Sequence, residues 1–184
     1  MPFHRTLSVL LLLLPIGFLN NPTEAKSLRL PALFGGPFQL TDEQGFGVTA
    51  DTYKGKFMLV YFGYSYCPDI CPTDLSIMAA ALDALGDEGG QIQPLFISVD
   101  PHRDRPETLR EFTDAFHPDL IGLTGTEAEV AVAVKGMTGE DYLVDHSTLT
   151  YLMGPDGAFV TMFPRGTSAE KMAGTIRKYI RSGS

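Results

Sequence analysis

A chain of 184 residues with a net charge of −8 is long enough for one domain with a real core, and its acidic balance excludes nucleic acid as a partner. Two cysteines are too few for an ordinary iron–sulfur cluster. No repeat, charge block or low-complexity linker divides the sequence.

Met1 to Arg5 forms a short, weakly positive head, and Thr6 to Leu19 an apolar stretch broken by Pro15 and Gly17. Asn20-Asn21-Pro22 ends it, and Thr23-Glu24-Ala25 offers a small residue for cleavage. At about 1.5 Å per residue this stretch falls short of the ~30 Å hydrocarbon core of a bilayer. Residues 1–25 therefore read as a signal peptide, with a short membrane anchor as the alternative, and residues 26–184 as a single exported domain.

Residues 34–54 are rich in glycine and polar residues, with short extended candidates near Phe38–Leu40 and Gly47–Thr49. Lys56 to Tyr64 is a nearly continuous run of β-formers, the pattern of a strand buried on both faces. Pro72 to Leu85 predicts a helix with Leu75, Met78, Ala79 and Leu82 inward, ended near Gly86. Ile92 to Val99 is a second buried strand, and Pro106 to Phe116 a helix that turns Leu109, Phe112 and Phe116 inward. Leu120 to Leu123 is a short strand, followed by a helix from Glu127 to Lys135 that Gly136 ends. Thr148 to Met153 and Ala158 to Phe163 flank Gly154-Pro155-Asp156-Gly157 and form a hairpin. Ser168 caps a last helix that runs to Ile180.

Alternating strands and helices imply parallel pairing with helices on the faces, and the closing hairpin adds an antiparallel edge. This order gives an α/β class and is similar to the thioredoxin-like fold, a mixed central sheet flanked by helices. In that fold the loop after the first core strand carries the reactive cysteines, and the loop entering the closing hairpin faces them. Here the first loop holds Cys67 and Cys71, and the second ends at His146.

Pro72 suits the first helical position, which sets Cys71 at or near the N-cap and Cys67 in the loop before it. Free N–H groups and the positive end of the helix dipole favour thiolate there. A structural disulfide is the plain alternative in an exported protein. Closing so few residues, however, yields roughly 2 kcal/mol, against ~3 kcal/mol for a 15-residue loop. Three residues separate the cysteines, one more than in the thioredoxin-like redox motif. On a helix such side chains have Cβ atoms ~5–6 Å apart, beyond the ~3.8 Å of a bridge, so the pair holds a metal more readily than it closes.

Four histidines remain to be placed. His4 lies in the leader, and His117 ends a helix where a structural role suffices. His102, in Asp100-Pro101-His102-Arg103-Asp104, lies in a loop at the same end of the sheet as Cys67 and reads as a solvated side chain that could approach the site. Arg103-Asp104-Arg105 reads as a solvated turn, or as a charged strap on the cysteine loop. His146 follows Asp145, which could orient its ring, and precedes a strand that sets it opposite the cysteines. Two thiolates and one imidazole suit Cu(I), and an added oxygen ligand would extend the set to Cu(II). Zinc would need a fourth ligand such as Asp69, Asp145 or water.

Tyr61-Phe62-Gly63-Tyr64-Ser65-Tyr66-Cys67-Pro68-Asp69-Ile70-Cys71-Pro72 resembles the copper-site motif of the Sco/SenC family. Phe96 to Asp104, Gly122 to Thr126, and Asp141 to Ser147 with Tyr151 to Gly157 are similar to three further signatures of that family, in order. The stretch Gly136 to Glu140 is shorter than the tyrosine-rich segment usual at that place. The resemblance implies copper bound by Cys67, Cys71 and His146, in a metallochaperone that builds the copper centre of cytochrome c oxidase. Its partners would be the copper-bearing oxidase subunit and an upstream copper donor. Its location would be the periplasm, free or anchored to the inner membrane. An enzymatic alternative makes Cys67 and Cys71 the redox pair of a thiol–disulfide oxidoreductase that reduces the cysteines of the oxidase copper site. A thiol peroxidase is a third reading.

Overall fold

The structure, a computed structural model, describes Met1 and residues 35–139 and 149–183. Apart from Met1, the leader expected over 1–25 lies outside these residues, as do Asp145 and His146.

The centre of the fold is β3 (Phe57–Gly63), seven residues that are all buried. β4 (Ile92–Ser98) pairs with it in parallel, from Phe57 opposite Ile92 to Gly63 opposite Ser98, and β5 (Ile121–Thr124) extends the parallel set. β1 (Gln39–Asp42) and β2 (Gly47–Thr49) form an antiparallel hairpin beside β5. β6 (Leu149–Met153) runs antiparallel to β3, and β7 (Phe159–Pro164) to β6. The seven-stranded mixed sheet has the order β2-β1-β5-β4-β3-β6-β7. Among the described residues four α-helices cover it: α1 (Ile70–Leu85), α2 (Pro106–Asp114), α3 (Glu127–Thr138) and α4 (Ala169–Ser182). This is the thioredoxin-like arrangement expected from the element order.

Alternation along β3 divides the core in two. Phe57, Leu59 and Tyr61 join Leu75, Met78, Leu109, Met172 and Ile176 beneath α1, α2 and α4. Met58, Val60 and Phe62 join Val130, Val134 and Met137 of α3, with Phe38 and Leu40 of the first hairpin segment. Both sets need strands buried on two faces, which is why β3 and β4 read as unbroken apolar runs.

Several boundaries shift by one to three residues from the sequence reading, among them the end of α2 at Asp114 and of α4 at Ser182, and two of the shifts have a physical reason. α1 begins at Ile70 rather than Pro72, so Cys71 lies in the first helical turn and Pro72 at its third position. The N–H groups of a first turn have no intrahelical partner, so proline removes no bond there. α3 passes through Gly136 and ends at Gly139, which adopts the left-handed conformation at φ 76°. Gly136 meets a backbone instead of breaking the helix: a Cβ on it would sit 3.2 Å from the Gly36 Cα, and its carbonyl accepts the Gly35 N–H at 2.7 Å. Glycine allows that close approach of two chains. Met162 is 49% exposed on β7.

Candidate metal centre

The site starts where β3 ends. Parallel strands β3 and β4 finish side by side at Gly63 and Ser98, and the loops that leave them lie at the same edge. Such carboxyl ends are where open α/β sheets hold their ligands.

The first loop turns tightly, with the Cys67 N–H donating to the Tyr64 carbonyl at 3.1 Å. Asp69 occupies the N-cap position of α1, yet its side chain accepts no capping hydrogen bond. Sulfur takes that role: the Cys71 N–H donates to the Cys67 Sγ at 3.4 Å. Burial raises the Cys67 pKa, but hydrogen bonds from the Cys71 thiol and from the backbone N–H groups of Cys71, Asp69 and Ile70 outweigh it, and the net direction is downward. Cys67 is thus the sulfur whose ionised form the helix N-terminus favours.

Cys71 behaves in the opposite way. Burial first, then its hydrogen bond to Cys67 and the charge there, push its thiol up to about 12. Its Sγ lies against Gly63, where an added Cβ would approach it to 3.0 Å. Behind it, the Tyr61 hydroxyl donates to Asp74 Oδ2 at 3.1 Å and also shares a hydrogen bond with Cys71. Tyr61 and Asp74 are both buried. Burial raises the Asp74 pKa, against the opposing pull of the Tyr61 hydroxyl and the Arg165 charge. A polar chain therefore runs Cys67, Cys71, Tyr61, Asp74 into the α1 face of the core. Both sulfurs are buried and unbridged.

The second loop, Asp100 to Arg105, leaves the end of β4. His102 stays at the surface, its Nε2 at 2.8 Å from Glu127 Oε1, on the rim of a groove of about 570 Å³ that Tyr64 also lines. The solvated reading of His102 therefore holds. His117 is largely covered and accepts the Asp119 N–H on Nδ1 at 3.1 Å, a structural role. Tyr66 is 60% exposed beside Cys67.

The structure brings Cys67 and Cys71 together. His146 lies outside the described residues, so its approach is not part of this geometry. Among the described residues, no three or more His, Cys, Asp and Glu side chains form a metal-holding group. Two soft sulfurs fit a soft monovalent cation and leave room for a third donor. The sequence sets Tyr61 and Gly63 in a buried strand and in the copper-site motif without showing what they touch, and it gives Asp74 no role. The available signal was Asp74 three residues after Cys71, one turn along the same helix face.

The SCO1/SenC family model matches residues 26–181. The protein SenC of Rhodobacter capsulatus is 46% identical over 154 residues, covering 79% of this chain and 70% of its own length. The protein sco1 of Schizosaccharomyces pombe is 40% identical over 161 residues, 80% of this chain, which spans 61% of that relative. Among solved structures, Arabidopsis thaliana ScoI with copper bound superposes with a TM-score of 0.73 at 38% identity, over 81% of this chain and 99% of that one. The fold is thioredoxin-like and carries a two-cysteine site at the end of its first core strand. The chain belongs to the SCO1/SenC family.

Proposed function

We propose that this chain is a copper metallochaperone that holds one Cu(I) by Cys67, Cys71 and His146. It receives the ion from an upstream donor and passes it by ligand exchange to the copper-bearing subunit during cytochrome c oxidase assembly. The observation that carries this reading is a pair of buried, unbridged sulfurs at one helix N-terminus, one of them favouring thiolate. The copper in the related Arabidopsis structure supports the choice of metal. Cu(II) binds when an oxygen ligand joins the set. Residues 1–25 serve as a signal peptide or short anchor, and 26–184 work in the periplasm or face it from the inner membrane. Among the described residues no helix is long and apolar enough to cross a membrane.

Cu(I) titration of the reduced protein tests the ligand set. One ion per chain is expected, with Cys67→Ser, Cys71→Ser and His146→Ala each weakening it. Undiminished affinity in any of the three removes that residue from the set.

The opposed behaviour of the two thiols also favours a second reading, a thiol–disulfide oxidoreductase. The Cys67 thiolate attacks a disulfide in the target, and the released target sulfur takes a proton. Cys71 then resolves the mixed disulfide, freeing the second target thiol and leaving a Cys67–Cys71 bridge, so two electrons pass to the target. The two readings part at residue 146. Oxidase assembly that survives His146→Ala but needs both cysteines would favour redox work over ion delivery.

A further inference from the structure

Asp104 is a fully buried carboxylate that no role described above uses. It sits in the second loop, yet its partners are in the first. Oδ2 accepts the Ser65 N–H at 2.9 Å and the Ser98 hydroxyl at 2.6 Å, while Oδ1 accepts the Ser65 hydroxyl. Ser65 is 39 residues away in sequence and two residues before Cys67. Next to it, Arg103 lies over the rings of Tyr64 and Tyr66, at 5.9 and 5.1 Å from their centroids, and pairs with Asp100. The second loop therefore grips three consecutive residues of the cysteine turn, polar contacts inside and a cation over two aromatic rings outside. Its own base is tied to the sheet through Ser98, whose hydroxyl also accepts the Asp100 N–H at 3.1 Å.

A buried carboxylate is costly unless its oxygens are matched by donors. Here two of the three donors belong to the turn that carries Cys67 and the third to the end of β4, so the full match is kept only if the turn stays against that strand. We infer that Asp104 is the positioning residue of the metal centre, fixing the Cys67 turn against the end of β4 so that the Cys67 sulfur stays over the first N–H groups of α1. The inference rests on the copper reading above, because what it positions is a ligand. It also states what the turn resists: with the turn held, Cys67 remains at the α1 N-terminus as a free sulfur, and a loosened turn would let it close on Cys71.

The test compares Asp104→Asn, Ser65→Ala and a control, Glu43→Gln. Glu43 makes a similar clip elsewhere, its Oε2 accepting the Thr113 hydroxyl and the Gly122 N–H, both at 2.9 Å. Each variant is measured in the full chain at a temperature where it is folded. Loss of an outer partner of a ligand typically weakens a metal by about 10–100-fold, which is the drop expected in Cu(I) affinity for Asp104→Asn. Ser65→Ala keeps one contact, the backbone N–H, and is expected to lose less. A second readout needs no copper: in glutathione buffers, Asp104→Asn is expected to move the dithiol–disulfide balance by about tenfold toward the Cys67–Cys71 bridge. Glu43→Gln should lower the melting temperature and leave both readouts alone.

Wild-type values of both readouts in folded Asp104→Asn would overturn the inference. So would a Glu43→Gln that moves them equally, since that marks a general loss of stability. If Asp104→Asn does not fold, Ser65→Ala decides by the same criteria. If the wild-type protein takes up no Cu(I), the copper reading falls by itself, and the glutathione balance alone judges the clamp.

Discussion

Along β3, Phe57, Leu59 and Tyr61 meet α1, α2 and α4, while Met58, Val60 and Phe62 meet α3. Both rows are buried to within a few per cent. The α3 face is lined by aliphatic and aromatic side chains, with Phe62 edge-on to Tyr151 at 6.1 Å. The α1 face has the same kind of wall, but it also encloses two thiols and the Tyr61–Asp74 pair. Polar groups survive there because each finds a partner among the others, so the chain of hydrogen bonds must be kept whole. One strand thus supplies a face for stability and a face for chemistry, and the two should fail in different ways.

The largest contrast comes from removing one sulfur against removing one core side chain. Cys71→Ser should weaken Cu(I) by more than about 100-fold, the upper range for loss of a mere outer partner. It should do so without unfolding the protein. Leu123, fully buried on the α3 face, gives the converse. Leu123→Ala is expected to cost about 2–5 kcal/mol in urea unfolding while the folded fraction keeps its copper affinity. A Leu123→Ala that also loses copper would mean the two faces are mechanically coupled.

The next contrast is in pH. An ordinary thiol, and hence Cys71 in the unfolded chain, ionises near 9.0, but in the folded protein burial pushes it to about 12. Between those values the folded state keeps a proton that the unfolded state has released. Stability therefore falls as pH rises, by up to about 1.4 kcal/mol per pH unit. Cys67 has the reverse sign: its lowered folded value stabilises the protein above the ordinary thiol range and loses that contribution as pH falls through it. Urea midpoints at pH 8 and pH 10 check this. Cys71→Ser should flatten the alkaline slope, and Leu123→Ala should keep it.

The burial of β3 and β4 on both faces was legible in the sequence, because an unbroken apolar run reports it, whereas no buried side of α3 was assigned. The parallel strands, the closing hairpin and the order of elements follow from runs such as 56–64 and from Gly154-Pro155-Asp156-Gly157. Cys67 and Cys71 were legible too, through residue type and spacing. Their unequal character was not, because it arises from contacts with Tyr61, Gly63 and the first turn of α1 that only folding creates. Asp104 was half legible: Arg103-Asp104-Arg105 offers a solvated turn or a charged strap on the cysteine loop, and only the contacts with Ser65 and Ser98 decide for the strap. Gly136 stopped a helix on paper because nothing local reveals Gly36 packed against it.

Gly63 and Gly122 sharpen the comparison at finer scale. A Cβ on Gly63 would lie 2.9 Å from the Phe96 ring, 3.0 Å from the Cys71 sulfur and 3.1 Å from the Tyr61 ring. One on Gly122 would lie 2.7 Å from the Leu109 Cβ. Both alanine variants overpack the core and should cost about 1–3 kcal/mol. Only Gly63→Ala presses on a proposed ligand, so it alone should weaken Cu(I), read by competition with a chromophoric chelator at a temperature where both variants are folded. Equal affinities would mean that the Cys71 sulfur adjusts without loss.

The smallest effect tests whether the polar chain behind Cys71 acts as a unit. Tyr61→Phe removes the donor to Asp74 and leaves a buried carboxyl oxygen without its partner, which should cost about 1 kcal/mol, the low end for such a group because the Arg165 charge still acts on it. Tyr61→Phe combined with Asp74→Leu removes both partners, and the cost should largely disappear, because neither group is then left unmatched. Summing the two single substitutions would predict the opposite, a double variant worse than either. A thermodynamic cycle on urea unfolding distinguishes these outcomes. Near-additivity would show that Tyr61 and Asp74 stabilise the α1 face separately, and that the contrast between the two faces rests on the sulfurs alone.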